Sequence, residues 1–265
     1  MELKTKKMLA HVEDGIGWVT FNQPEKRNAI SLEMWAALGE ILEVFHHDKN
    51  VRVVVMRGAG GRAFVSGADI SEFDEKRGSA AQRESYGVVA ANANRWLARI
   101  DKPMIAMIEG FCIGGGLATA LNADVRFATP ASTFGIPAAR LGLGYELSGL
   151  KALVDVVGPA NARDIMISAR YFGAEEALQM GLINFIVEPA ELLKDAVHAY
   201  ALKVVGNAPL TVQAARSAIR EVLKPESSQD PARIQVLIDG CFDSEDYKEG
   251  RQAFKAKRPP NFKGI

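Results

Sequence analysis

Hydrophobic positions alternate with polar ones from Met8 through Ala10 to Val12, and after Asp14-Gly15 the run IGWVTF takes over. Two such segments around an Asp-Gly pair predict a β-hairpin. Ser31 then precedes Leu32, Trp35, Leu38, Leu42 and Phe45, whose spacing puts them on one helical face with Ser31 as the cap. VRVVVMRG (Val51–Gly58) is a continuous apolar run of strand length and predicts a strand buried on both faces. The stretch GAGGRAFVSGADI reads as a glycine-rich loop opening a short helix. A longer helix is expected near Ala80–Ile100. After Pro103 the apolar run MIAMIEG leads into a second glycine-rich segment, GFCIGGG, and an alanine-rich helix. VRFATPASTFGI predicts two short strands about a Pro turn.

Strand, glycine-rich loop and helix thus recur in order, which predicts a layered α/β core without a detectable sequence repeat. From Gly158 the periodicity becomes mostly helical, interrupted at Gly181, Pro189, Pro209 and Pro225. PESSQDP (Pro225–Pro231) reads as a linker between late helices. The expected organisation is a core over residues 1–200, predominantly α/β to about 158, and a helical region over 201–265.

Composition and charge remove several function classes. The 265 residues carry 32 basic and 32 acidic side chains, so the balance argues against nucleic acid as the main partner. Cys112 and Cys241 lie far apart, which points to a reducing, cytoplasmic setting rather than a disulfide framework. No run approaches the roughly 18 apolar residues of a membrane span, and MELKTKKMLAHVEDG has no apolar leader centre. No Cys/His cluster has metal-ligand spacing, so no metal is expected. His11, His46, His47 and His198 fall outside every motif and read as surface or packing residues. Glu109 and Asp124 read as serving turns or buried hydrogen bonds. Asp74 and Glu75 belong to a solvated charge run, with a lid as the alternative.

The two glycine loops carry the chemistry. Neither fits the G-x-G-x-x-G of a dinucleotide site, and neither has the Lys-Ser/Thr of a phosphate loop. Each follows a predicted strand and opens a predicted helix, so each exposes backbone N–H groups without helical partners. Two such groups aimed at one point form an oxyanion hole. The competing reading is that both glycine sets only permit tight turns.

FNQPEKRNAIS, AFVSGADI, the stretch Asp-Lys-Pro-Met-Ile-Ala-Met-Ile-Glu-Gly leading into GFCIGGGL, STFGIP and EDYKEGRQAFKAKRPPNF occur in one order along nearly the whole chain. As a set they resemble the enoyl-CoA hydratase/isomerase (crotonase) superfamily. The resemblance implies an α/β fold, a crotonase-like spiral of ββα units with a C-terminal helical trimerisation region. It implies an acyl-CoA substrate, self-association as a trimer or hexamer, and no cofactor beyond the coenzyme A of the substrate. Carried over by position, the oxyanion donors are the N–H groups of Ala68 and Gly115. Ala68, Asp69 and Ile70 line the adenine and pantetheine, Lys26 and Arg27 lie near the phosphates, and Phe254 and Lys257 close the nucleotide end. The apolar helix IQVLIDGCF (Ile234–Phe242) fits the expected association.

The chain departs from the family at the acid and base. Its hydratases carry glutamates two residues after the glycine triplet and directly after the proline of a Gln-Pro-Glu motif; here those positions are Ala118 and Ala138. Hydration needs a base for water and an acid for the α-carbon, and alanine supplies neither. In RLGLGYELSGL (Arg140–Leu150), Glu146 aligns with a catalytic aspartate of dienoyl-CoA isomerases and an aryl-CoA dehalogenase. Tyr145 aligns with an active-site tyrosine of a methylmalonyl-CoA decarboxylase. Three readings follow, in this order: an isomerase or atypical hydratase using Glu146, a decarboxylase whose loss of CO2 forms the enolate directly, and a non-catalytic acyl-CoA binder.

Overall fold

A computed structural model describes residues 1, 3–72, 80–145 and 147–265, leaving aside the side chains of 80–83, 85 and 148. Asp14 and Gly15 take positive φ (52° and 79°), the left-handed pair that a two-residue hairpin turn uses. They join β1 (Met8–Glu13) to β2 (Ile16–Phe21) in antiparallel register. The remaining strands are β3 (Val53–Gly58), β4 (Ala63–Val65), β5 (Met104–Ile108), β6 (Phe111–Ile113), β7 (Val125–Ala128), β8 (Thr133–Gly135), β9 (Phe172–Gly173) and β10 (Phe185–Ile186). They form a larger sheet in the order β1-β2-β3-β5-β7-β10 and a smaller one in the order β4-β6-β8-β9.

The larger sheet is apolar on both faces because period-two alternation sends successive residues to different cores. Val54 and Met56 of β3 face one core, which they share with α1 (Leu32–His47), α2 (Ala80–Arg99) and the smaller sheet. Val53 and Val55 face a second core with Trp18, Ile105, Leu193 and Val197. The helix supplying Leu193 and Val197 is Leu193–Val205. Ser31 caps α1 as expected: its Oγ accepts from the Met34 N–H at 3.4 Å, and Trp35, Leu38, Leu42 and Phe45 are buried.

Some elements differ from the sequence expectation. The loop GAGGRAFVSGADI contains a strand, β4, and ends in a three-residue 3-10 turn, Ile70–Glu72. The alanine-rich helix α3 (Gly115–Ala120) is only six residues long. The two strands of VRFATPASTFGI enter different sheets, β7 the larger and β8 the smaller. β9 and β10 follow Gly158 and extend both sheets inside the stretch that reads as helical, since two-residue strands are too short to show an alternation.

The helical remainder comprises α4 (Leu147–Ser168), broken at Gly158 ahead of Pro159, α5 (Ala174–Gln179), α6 (Leu193–Val205), α7 (Pro209–Val222), α8 (Pro231–Phe242) and α9 (Glu245–Ala256). A short 3-10 turn, Glu226–Ser228, occupies the expected linker. Among the described residues, no helix is long and apolar enough to cross a membrane.

Candidate active site

Three neighbouring parallel strands of the smaller sheet, β4, β6 and β8, end at one edge and deliver three loops. Ligand sites of parallel sheets form beyond such carboxyl ends. After β4 comes Ser66-Gly67-Ala68. The Ile30 N–H donates to Gly67 O at 2.8 Å and the Asp69 N–H donates to Ile30 O at 2.9 Å. Those two bonds use the groups on either side of Ala68, so the Ala68 N–H belongs to the opposite edge of the strand. After β6, Gly114 takes φ 54° and ψ −117°, a conformation essentially reserved for glycine. Its N–H donates to Gly135 O at 2.8 Å, tying this loop to β8. α3 begins at once with Gly115.

The two loops meet. A Cβ built on Gly115 would stand 4.0 Å from the Ala68 nitrogen, and one on Gly114 would stand 4.0 Å from the Gly67 Cα. Among the described residues, neither the Ala68 nor the Gly115 N–H donates to a protein acceptor. Both residues line a cavity of about 590 Å³. The third loop contributes Pro137, Ala138 and Arg140, and Trp35, Tyr86, Tyr145 and Tyr171 complete much of the apolar wall.

Of the residues singled out in the sequence, Ala68, Gly115, Ile70 and Tyr145 line this cavity. Burial pushes the Tyr145 phenol above its ordinary value, so its O–H stays protonated at neutral pH. Glu146 lies outside the described residues, as do Asp74 and Glu75. Ala138 is 5% exposed and on the wall, while Ala118 sits inside α3, its N–H donating to Gly114 O at 3.0 Å.

Lys26 and Asp69 meet each other at the edge of the site. Lys26 Nζ donates to Asp69 Oδ2 at 2.8 Å and to Ser71 Oγ at 2.9 Å. Burial raises the Asp69 carboxyl, but hydrogen bonds from Lys26, Ser71 and Gln23 outweigh it and hold the pKa at about 2. The loop carrying Lys26 is pinned by buried Asn28, whose Nδ2 donates to Ala59 O at 2.9 Å and Ala63 O at 2.8 Å. Arg27 lies 5.0 Å from the Phe111 ring centroid. Phe254 and Lys257 are elsewhere. Phe254, 86% exposed on α9, lines a second cavity of about 730 Å³ against α7, and Lys257 caps the end of α9. Within one chain, neither reaches the cavity at Ala68.

The other candidates have structural partners. Asp124 accepts from the Met104 N–H and from Arg216, and His46 and His47 pack against Trp96. His11 stacks on Trp18, and His198 lies 3.8 Å from Asp14. Sequence reasoning passed over Arg140, Tyr171, Trp35 and Tyr86. Arg140 opens the quoted stretch RLGLGYELSGL, but nothing in its spacing marks which way it faces.

Known proteins match the chain over nearly its whole length. The family model for enoyl-CoA hydratase/isomerase matches residues 11–265. A short-chain-enoyl-CoA hydratase of Clostridium acetobutylicum is 32% identical over 256 residues, covering 97% of each chain. An (E)-benzylidenesuccinyl-CoA hydratase of Thauera aromatica is 33% identical over 258 residues, covering 96% of this chain and 97% of its own. The crystal structure of an enoyl-CoA hydratase/carnithine racemase from Magnetospirillum magneticum superposes with a TM-score of 0.91 at 34% identity, over 99% of this chain and 97% of that one.

Proposed function

Because the chain belongs to the enoyl-CoA hydratase/isomerase family and is therefore an acyl-CoA enzyme, we propose that its substrate's thioester carbonyl lies between the N–H groups of Ala68 and Gly115. The observation that carries this reading is the convergence of two unpaired backbone donors on one cavity. Negative charge on the thioester oxygen would be stabilised there as an enolate forms, in a wall that is mostly apolar and strengthens such hydrogen bonds. No cofactor is needed beyond the coenzyme A carried by the substrate. Lys26 is the cation nearest the Asp69 edge, and it shares its charge with that carboxylate before any phosphate arrives.

On this reading Glu146, directly before α4, moves the proton at the α-carbon, as in an isomerase or an atypical hydratase. Ala118 and Ala138 leave the two hydratase positions without an ionisable group. Decarboxylation is the second reading. It is favoured by a specific feature: the cavity wall carries a cation, Arg140. Self-association as a trimer or hexamer belongs to the same proposal, supported by the exposed apolar face of α8.

The test is exchange of the α-protons of a saturated acyl-CoA in deuterium oxide. Wild-type protein should catalyse the exchange. Glu146→Gln should slow it by about 10²–10⁴-fold, the range of a lost general acid–base group. Equal exchange rates in the two proteins overturn the role of Glu146 and leave the oxyanion site standing. Absence of any enzyme-dependent exchange, with CO2 release from a 2-carboxyacyl-CoA, selects decarboxylation.

A further inference from the structure

Among the described residues that face the cavity, Arg140 is the one charged side chain. It sits in the 3-10 turn Pro137–Leu141, next to the apolar Leu141 and Leu143. Its guanidinium carbon lies 5.3 Å from the centroid of the Tyr171 ring. A guanidinium held over a ring face still has N–H donors that the ring does not use. Among the described residues, no carboxylate or carbonyl accepts from them.

That sets Arg140 apart from arginines with structural work. Arg170, a short distance along the chain, is clasped by Asp164 and Glu176. Arg216 is bound to Asp124, and Arg258 to Glu249. Each of those is satisfied by the fold. Arg140 is oriented by the fold but not neutralised by it. Tyr145, on the same wall, adds a phenol that burial keeps protonated and able to donate. A planar cation and a hydroxyl donor in a mostly apolar cavity match a planar, two-oxygen anion, which a bare apolar wall would reject.

We propose that the substrate's acyl group carries a carboxylate of its own and that Arg140 receives it. The inference rests on the acyl-CoA reading above and names the class of acyl group: the coenzyme A thioester of a dicarboxylic acid. Arg140 is exposed at the cavity mouth, so its pairing is partly screened and its effect falls at the low end for a charged hydrogen bond. The phosphates of coenzyme A are the other source of anionic oxygens for this guanidinium, and the test separates the two.

Calorimetric titration with non-reacting thioesters matched in chain length provides that test: butyryl-CoA against succinyl-CoA, and pentanoyl-CoA against glutaryl-CoA, with free coenzyme A as the reference. The wild type should bind the dicarboxylic member of at least one pair about tenfold more tightly, the effect of one charge-assisted contact. Arg140→Gln should abolish that preference, and Arg140→Lys should retain part of it. No preference in either pair, or a preference that survives Arg140→Gln, overturns the inference while the acyl-CoA reading stands. Equal weakening of free coenzyme A and every thioester in Arg140→Gln overturns it in favour of the phosphates. Failure of all four thioesters to bind the wild type overturns both readings together.

Discussion

Gly115 and Gly116 are neighbours of the same type with different reasons to be glycine. A Cβ on Gly116 would meet Val65 O at 2.2 Å, so alanine there must push α3 away from β4. A Cβ on Gly115 meets nothing nearer than the Ala68 nitrogen at 4.0 Å. Gly116→Ala should therefore lose stability, by about 1–3 kcal/mol as for other overpacked sites, seen as a lower urea midpoint. Gly115→Ala should melt close to wild type, yet its methyl would stand in the gap between the two proposed donors. Its turnover should fall about 10²-fold, the loss typical of one oxyanion contact. The need for bare backbone is legible in the triplet GGG, but the division of labour is not, because it depends on Val65 and Ala68, some fifty residues earlier in the chain. Asp69 gives a pH signature at the same scale. Its folded pKa of about 2 lies below its ordinary 3.8, so its stabilisation is complete above 3.8 and is lost as pH falls toward 2. Asp69→Asn should be less stable than wild type in urea at pH 7, and the difference should shrink by pH 2.

At the scale of elements, legibility follows length. The hairpin, α1, β3 and the helix near Ala80–Ile100 were readable because each has at least six residues per element, enough for an alternation, a helical face or an unbroken apolar run to show. β4, β9 and β10 were not, at two or three residues each. The site was half readable for the same reason: its glycine loops carry wording, whereas Arg140 and Tyr171 come together only through the packing of a 3-10 turn beside β9. Elements also hold each other through groups that no local pattern reveals. Arg216 of α7, 8% exposed, donates to both oxygens of Asp124, at 2.8 and 2.7 Å, and to Ile100 O. Asp124 in turn accepts from the Met104 N–H at 2.7 Å, where β5 begins. One carboxylate thus fastens a late helix to the central sheet. Asp124→Ala leaves a buried guanidinium without its counterion. It should cost about 3 kcal/mol in urea unfolding, the low end for a broken buried pair because Asp124 keeps some solvent contact.

At the scale of the whole molecule, the late helices are where a single chain leaves large apolar side chains exposed. α8 has no buried residue: Val236 is 70% exposed and Phe242 58%. Phe254, on α9, is 86% exposed and borders the apolar cavity of about 730 Å³ between α7, α8 and α9. Apolar surface gathered in one region in this way is what the proposed self-association would cover, whereas scattered single residues would need no such explanation. The expectation that Phe254 and Lys257 close the nucleotide end then acquires a geometric form. They do not reach the cavity of their own chain, so in an assembly they are available to a neighbouring one. The protein should run as a trimer or hexamer by light scattering at micromolar concentration. Val236→Asp with Phe242→Asp should shift the mass toward the monomer, because each places an unpaired charge in the contact. If the neighbour supplies Phe254 and Lys257, the dissociated variant should retain its circular dichroism spectrum and bind free coenzyme A more weakly than the assembly does. A wild-type mass equal to one chain defeats the assembly. A dissociated variant with unchanged coenzyme A affinity confines Phe254 and Lys257 to the interface itself.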